Sequence, residues 1–295
     1  MHNFVEVLGL GPILEAQGIA SAGNFEETYG RLASQPEHTE LLAQLENRVY
    51  DYFDALELPD TPTLYDYLVL SLRRKDVIAT FNWDPLLAQA YARCRARTRR
   101  QLPSLFFLHG SVAAGYCDAH RDIIGRPGQA CPRCSTALAR TRLLYPVAKK
   151  NYSSDPFIAG EWKAVRSALN AAFAFTVFGY SAPTSDAEAK ELLLKAWSGN
   201  RSREFAETEI IDIKPKAEIE ETWESFFFSH HYELSSSLSD SYLGLYARRS
   251  CEAIFAQKME AQWVAAAPLP TAMSFAELDA WLAPYLNVEL AGSVI

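Results

Sequence analysis
The chain has 295 residues, enough for one large α/β domain or for one domain carrying a small module. Apolar residues make up 49% and charged residues 22%, which excludes a disordered chain and fits a packed globular one. The formal net charge of −8 argues against a general nucleic-acid binder, because phosphate contacts need a surplus of Lys and Arg.

In chain order, the first 75 residues read mostly as helix. Leu42, Leu45, Val49 and Phe53 fall at helical spacing within residues 40–56, and Tyr65, Leu68 and Leu72 repeat the pattern in 63–74. Residues 76–82 are a short β-type run. Asp84-Pro85 then opens a helix that reaches Arg100, with Asp able to accept backbone hydrogen bonds and Pro tolerated in the first turn. A second β-type run, 104–109, ends at Gly110-Ser111. A cysteine-bearing segment rich in Gly and Pro follows, and 143–147 reads as a short strand. Residues 172–180 form a nearly all-apolar strand, 185–197 a helix and 209–213 another strand. The last 70 residues read as helical, with a polar turn at 235–240 and a break at 268–270 before a helix over 274–286.

Strands alternating with helices predict an α/β, Rossmann-like fold: a parallel sheet covered by helices on both faces. The expected division is an α/β domain over 1–215 with a small module at 115–136, and a C-terminal helical region over 216–295, packed on it or appended. Such sheets place ligand sites at the carboxyl ends of their strands. Asn82, Asp84, His109, Ser181 and Lys214 stand at those ends.

Five cysteines are an odd count, and three share a short window with a histidine. Cys117 and His120 form one knuckle; Cys131 and Cys134, ten residues on, form the other. Thiolates and imidazole suit zinc, and four protein ligands leave no open position, so the site reads as structural Zn²⁺. Gly125, Pro127 and Gly128 let the chain reverse between the knuckles. Cys94 and Cys251 read as ordinary semi-buried thiols. No apolar run approaches the ~20 residues that span a bilayer. The opening Met1-His2-Asn3-Phe4 lacks the regions of a signal peptide. The expectation is a cytoplasmic chain with no membrane partner.

In motif order, the chain resembles the sirtuin-like NAD-dependent family. Thr80-Phe81-Asn82-Trp83-Asp84 looks like the family's T-x-N-x-D loop, and His109-Gly110 like its catalytic His-Gly. The two zinc knuckles follow directly, Gly179-Tyr180-Ser181 looks like the later Gly-x-Ser, and Lys214 falls at a further strand-end contact. The resemblance covers roughly residues 75–215. Asp186, at the start of the next helix, looks more like the prokaryotic sirtuin-like proteins of antiphage defence than the deacylases. Two features depart from the family. Its N-terminal glycine-rich loop is not found, Gly9 and Gly11 being the nearest cluster, which reads as an incomplete N-terminus or a divergent protein. Phe81 stands where deacylases carry a glutamine.

The resemblance implies NAD⁺ as substrate, bound by Thr80, Asn82, Asp84, Gly179, Ser181 and Lys214, with His109 and Asn82 catalytic. His109 would move a proton and Asn82 would orient water or ribose. Read locally, Asp84 serves equally as a helix cap. Three functions stay open: an NAD⁺ hydrolase, of the kind used as an antiphage defence effector; an NAD-dependent protein deacylase; and a degenerate, non-enzymatic nucleotide-sensing or interaction module. The partners expected are NAD⁺ or a related nucleotide, and a second copy or a defence-system protein. The arginines between 93 and 100 read as a helix end favouring the dipole, and His230-His231 as surface or packing.

Overall fold
The fold is taken from a computed structural model, which describes residues 4–19, 25–145, 152–183 and 186–291. Among the described residues, five α-helices precede the first strand: α1 (Phe4–Val7), α2 (Gly11–Ala16), α3 (Phe25–Ala33), α4 (Thr39–Asp54) and α5 (Leu64–Leu70). The helical spacing seen in the sequence becomes a buried stripe on α4, where Leu41, Leu45 and Val49 face inward. A capping box starts α5: the Asp66 carboxylate accepts from the backbone N–H of Thr63, and Thr63 takes a reciprocal bond from the first turn.

The parallel strands lie in two blocks. In the first, β1 (Val77–Thr80) pairs with β2 (Ser104–Phe107) through the crossover helix α6 (Leu86–Arg97). Between β2 and the next long helix comes a small antiparallel sheet of three two-residue strands, β3 (Gly115–Tyr116), β4 (Ile124–Gly125) and β5 (Ala139–Arg140), in the order β4-β3-β5. Helix α7 (Pro156–Leu169) opens with Asp155, whose side chain accepts from the Ile158 N–H, and with Pro at its start. The second block is β6 (Ala174–Phe178), β7 (Glu207–Ile211) and β8 (Tyr232–Ser235), parallel and in that order, with α8 (Ala187–Ser198) and α9 (Lys216–Trp223) as crossovers. Strand β7 is buried at all five positions, as a central parallel strand must be.

The α/β class with an inserted module therefore stands as read from the sequence. Two local readings are corrected. The region after 215 is not purely helical, because β8 extends the second block. Its Tyr-Glu-Leu-Ser composition carries no apolar run, and it becomes a strand only by pairing with β7. Residues 143–145 form no strand: the Leu144 N–H donates to the carbonyl of His109, which ties this stretch to the loop after β2. The rest of that stretch, 146–147, lies outside the described residues, as does Ser185 at the expected start of α8.

Two cores flank the strands. One gathers Phe107, Trp162, Val165, Val177 and Trp223 with residues of α7 and α8. The other gathers Leu70, Ile78, Leu87 and Ile211 with Leu278, Leu282 and Leu286 of the last helix, α12 (Phe275–Leu290). Two further short helices, α10 (Tyr242–Leu245) and α11 (Ser250–Lys258), follow β8. Among the described residues, no helix is long and apolar enough to cross a membrane.

Candidate functional site
The loops that follow β1 and β2 are clamped together. Ser111 is fully buried; its N–H donates to Thr141 Oγ1 at 3.1 Å and its hydroxyl to the carbonyl of Trp83 at 3.2 Å. The Val112 N–H bonds the same Trp83 carbonyl at 2.9 Å. Gly110 makes this possible. It has φ +76°, and a Cβ there would sit 2.0 Å from the Arg142 carbonyl oxygen, so no other residue fits. The side chain of His109 is thereby held on the inner side of the loop, only 4% exposed.

Around His109 stands a set of rings and one carboxylate. Phe81 meets it edge-on at 4.7 Å between centroids and stacks on Tyr180 at 4.4 Å. Tyr152 Oη lies 3.3 Å from His109 Nε2, and Asp186 Oδ1 lies 4.0 Å from the same nitrogen. The Tyr180 hydroxyl donates to the other Asp186 oxygen at 3.3 Å. Asp186 occupies the position before α8, yet its side chain makes no capping bond and is aimed at the histidine instead. Burial pushes the Tyr152 and Tyr180 phenols well above their ordinary range, with the Asp186 charge adding to the rise, so both stay protonated donors at neutral pH.

A cavity of about 800 Å³ runs along β1 and β6; the cluster itself does not line it, but the chain neighbours Asn82 and Gly179 do. Of the residues expected at the site, Thr80, Asn82 and Gly179 line it together. Asn82 is exposed at its mouth and donates its N–H to Thr80 Oγ1 at 3.0 Å. Asp84, one residue before the N-cap Pro85 of α6, accepts from the Leu86 N–H at 3.0 Å, and burial raises its carboxyl. Ser181 and Lys214 are exposed and lie outside the cavity lining. Sequence reading missed Tyr152, and it took Asp186 only as a marker of subtype. Residues 109, 152 and 186 meet only through the fold, and no local pattern announces the meeting.

Glu209 borders the same cavity from β7. It is 3% exposed, accepts from the Tyr242 N–H at 2.7 Å and from Thr176 Oγ1 at 3.2 Å, and burial raises its carboxyl to about 7. A carboxyl raised on folding stays neutral in the native state while the unfolded chain ionises near pH 4.5. Its contribution to stability is full below that pH and is lost as pH rises to about 7. Glu209→Gln is expected to match the parent at pH 4 and to exceed it at pH 8 by up to about 3 kcal/mol, read from urea unfolding at both pH values. Equal stabilities at pH 8 would refute the assignment.

In the small module, the four expected zinc ligands converge. Cys117 Sγ lies 3.6 Å from His120 Nδ1 and 3.6 Å from Cys134 Sγ, while Cys131 Sγ lies 3.7 Å from His120 Nδ1. All four donor atoms fall within 4.8 Å of one another. A tetrahedron with arms near 2.0–2.3 Å has edges of about 3.5–3.8 Å, so this donor set fits zinc without rearrangement. The turns are built for it: the His120 N–H donates to the Cys117 carbonyl, and the Ser135 N–H, from a residue with φ 59°, donates to the Cys131 carbonyl. Hydrogen bonds from Thr136 pull the Cys134 thiol down to about 6, toward the thiolate a metal requires. The module's only core is Cys117, Cys131 and Leu138, with Ile123 against them.

No protein-family model matches the chain, and no curated protein matches it. Solved structures do resemble it in outline. A Sir2 homologue mutant in complex with ADP-ribose is 13% identical, with 85% of this chain and 91% of that one covered at a TM-score of 0.41. A Sir2 complex with the inhibitor EX-527, 2′-O-acetyl-ADP-ribose and a deacetylated p53 peptide is 15% identical, with 88% and 99% covered at 0.40. A Sir2–p53 peptide–NAD⁺ structure is 13% identical, with 88% and 98% covered at 0.38. At such low identity and TM-score the likeness is one of general outline.

Proposed function
We propose that this chain is a sirtuin-like NAD⁺-binding protein that hydrolyses the nicotinamide glycosidic bond. The observation that carries the reading is the His109–Asp186 pair next to the carboxyl ends of β1 and β6, where Thr80, Asn82 and Gly179 line one end of the cavity. The chain winds from β1 to β2 in one block and from β6 through β8 in the other. The gap between β1 and β6 is therefore the point where strand order reverses, the position at which open α/β sheets take nucleotides.

Here the residues have defined tasks. Asp186 and Tyr152 fix the ring of His109, which then accepts a proton from attacking water. The water oxygen bonds the ribose anomeric carbon as the glycosidic bond breaks, and nicotinamide leaves with that electron pair. Asn82, exposed at the mouth, orients the ribose or the water. The rings of Phe81 and Tyr180 part to admit substrate, since they cover the histidine in the free chain. A role as a defence effector that depletes NAD⁺ rests on the sequence resemblance alone.

A second reading is a nucleotide-binding module without turnover, and the burial of His109 behind Phe81 favours it. Incubation with NAD⁺, following nicotinamide release, separates the two. The hydrolase is expected to release nicotinamide and ADP-ribose, and His109→Ala to stop both while calorimetric NAD⁺ binding persists. Equal rates in parent and variant would sink the assignment of His109. Binding with no release in the zinc-loaded parent would select the second reading. Release only when an acyl-peptide is added, with acylated ADP-ribose formed, would select a deacylase.

A further inference from the structure
Charge is divided unevenly along the first hundred residues. Residues 25–60 hold nine acidic and two basic side chains, whereas residues 73–100 hold eight basic and two acidic ones. The fold sends the two sets to opposite ends of β1 and β2. Arg73, Arg74 and Lys75 stand before β1, and Arg99 and Arg100 before β2, so both groups gather at the amino ends of two paired parallel strands. Helix α4 lies at the carboxyl ends. Its Tyr50 hydroxyl donates to the Val112 carbonyl at 2.9 Å, and its Phe53 ring meets Trp83 at 5.9 Å.

At the basic end the cations outnumber the carboxylates that hold them. Arg73 and Lys75 share Glu252, and Arg97 takes Asp279. Among the described residues, no carboxylate lies within ion-pair distance of Arg74, Arg95, Arg99 or Arg100, all of them exposed. The backbone is strained to keep two of these. Helix α6 closes with the Arg99 N–H on the Ala96 carbonyl and the Arg100 N–H on that of Arg95, a turn whose left-handed position glycine ordinarily fills. Here arginine takes it at φ 49°, and a second arginine follows at φ 66°. Cations favour the dipole at a helix C-terminus, but Arg95 and Arg97 already serve it from the last turn. Two successive exposed arginines in left-handed backbone point to a use outside the chain.

The acidic end is ordered as well. Positions 40, 44, 47, 51 and 54 repeat at the spacing of one helix face and are all exposed, opposite the buried Leu41, Leu45 and Val49 of α4. Glu40, Asp51 and Asp54 belong to that row, with Glu37 and Glu57 exposed beyond its two ends and Arg48 at its margin. Among the described residues, none of these five carboxylates has a cation within ion-pair distance.

We propose that these two ends are the halves of one interface: the basic edge before β1 and β2 of one copy docks on the outer face of α4 of a second copy. The partner is the chain itself because each copy carries both charges of the match, and the guanidinium fork suits a carboxylate. The net charge of −8 on every copy does not forbid the contact. Charges farther apart than about 8 Å are screened at physiological ionic strength, so the facing ends decide. The two surfaces differ and lie at opposite ends of the same strands. The contact is therefore heterologous, and copies add head to tail, into a ring or a filament.

Sedimentation velocity of the zinc-loaded chain tests this. Species heavier than the 33.0 kDa of one chain are expected in about 100 mM salt, and the single chain in about 500 mM. Arg99→Glu with Arg100→Glu, and separately Asp51→Lys with Asp54→Lys, are each expected to stay single at the lower salt. Mixed in equal amounts, the two variants are expected to assemble again, because one then has two acidic ends and the other two basic ones. Recovery on mixing also shows that both variants are folded. Arg99→Gly is expected to raise the melting temperature, by relieving the left-handed backbone, while it shifts the chain toward the single species. A single chain at the lower salt overturns the proposal, as does a mixture of the two variants that stays single. Heavy species that vanish on nuclease treatment also overturn it, assigning the basic edge to the phosphate backbone of a nucleic acid.

Discussion

Cys131→Ser is expected to strip the chain of its zinc and to unravel residues 117–138 while the rest of the fold persists. The reason is the size of the module. Three buried side chains and one partly buried neighbour cannot repay the ordering of more than twenty residues, so metal ligation must carry the structure. Structural zinc supplies an apparent ~10–16 kcal/mol in comparable small modules, far more than any contact within this one. The parent should hold about one zinc per chain by elemental analysis and the variant none, with exchange protection lost between 117 and 138 only. A folded parent prepared without chelator and free of zinc would overturn the reading. The strand blocks have their own cores, which is why the loss is expected to stay local.

Arg248→Ala is expected to be the most damaging single change outside the module, costing about 3–5 kcal/mol in urea unfolding. Arg248 is 1% exposed and spends every guanidinium nitrogen. Its Nη1 donates to the carbonyls of Leu70 and Leu72 at 3.1 and 2.8 Å, and Nη2 to that of Gln101 at 3.1 Å. Nε and Nη2 hold the Glu289 carboxylate at 2.6 and 2.7 Å. One side chain thus fastens the end of α5, the turn before β2 and the end of α12. Truncation leaves three carbonyls and a carboxylate without their donor. Arg248→Lys is expected to rescue little, because an ammonium cannot reproduce the planar fork. In a double-mutant cycle with Glu289→Ala, the two losses should fall well short of adding. Full additivity would show the pair to be uncoupled.

What the sequence disclosed depended on the range of the interaction. The zinc set was legible because its ligands recur at short spacing within eighteen residues, 117–134, and close on themselves. The strands over 77–80, 104–107 and 174–178 were legible as apolar runs bounded by turns, whereas β7, expected at 209–213, begins two residues earlier with Glu207 and Thr208, whose pattern is polar. Strand β8 was not, since Tyr232, Glu233, Leu234 and Ser235 take their conformation from β7 rather than from their own pattern. Asp186 looked like the start of a helix, and only the fold shows its carboxylate turned toward His109, 77 positions earlier in the chain. Asp84 carried two meanings in the sequence, and the fold adds a hydrogen bond from the Leu86 N–H in the first turn of α6.

The stem of the zinc module has a consequence for modularity. It leaves the body of the fold along β3 and returns along β5, with Gly115 directly opposite Arg140. Paired residues of this kind have Cα atoms about 4.5–5.5 Å apart, so departure and return are nearly one point. Immediately behind them, Thr141 closes on Ser111 through two hydrogen bonds, sealing the loop that holds His109. Everything beyond Tyr116 and Ala139 is thus a detachable cassette. A tight turn, a fluorophore carrier or a different metal knuckle can be spliced there with the histidine loop left latched.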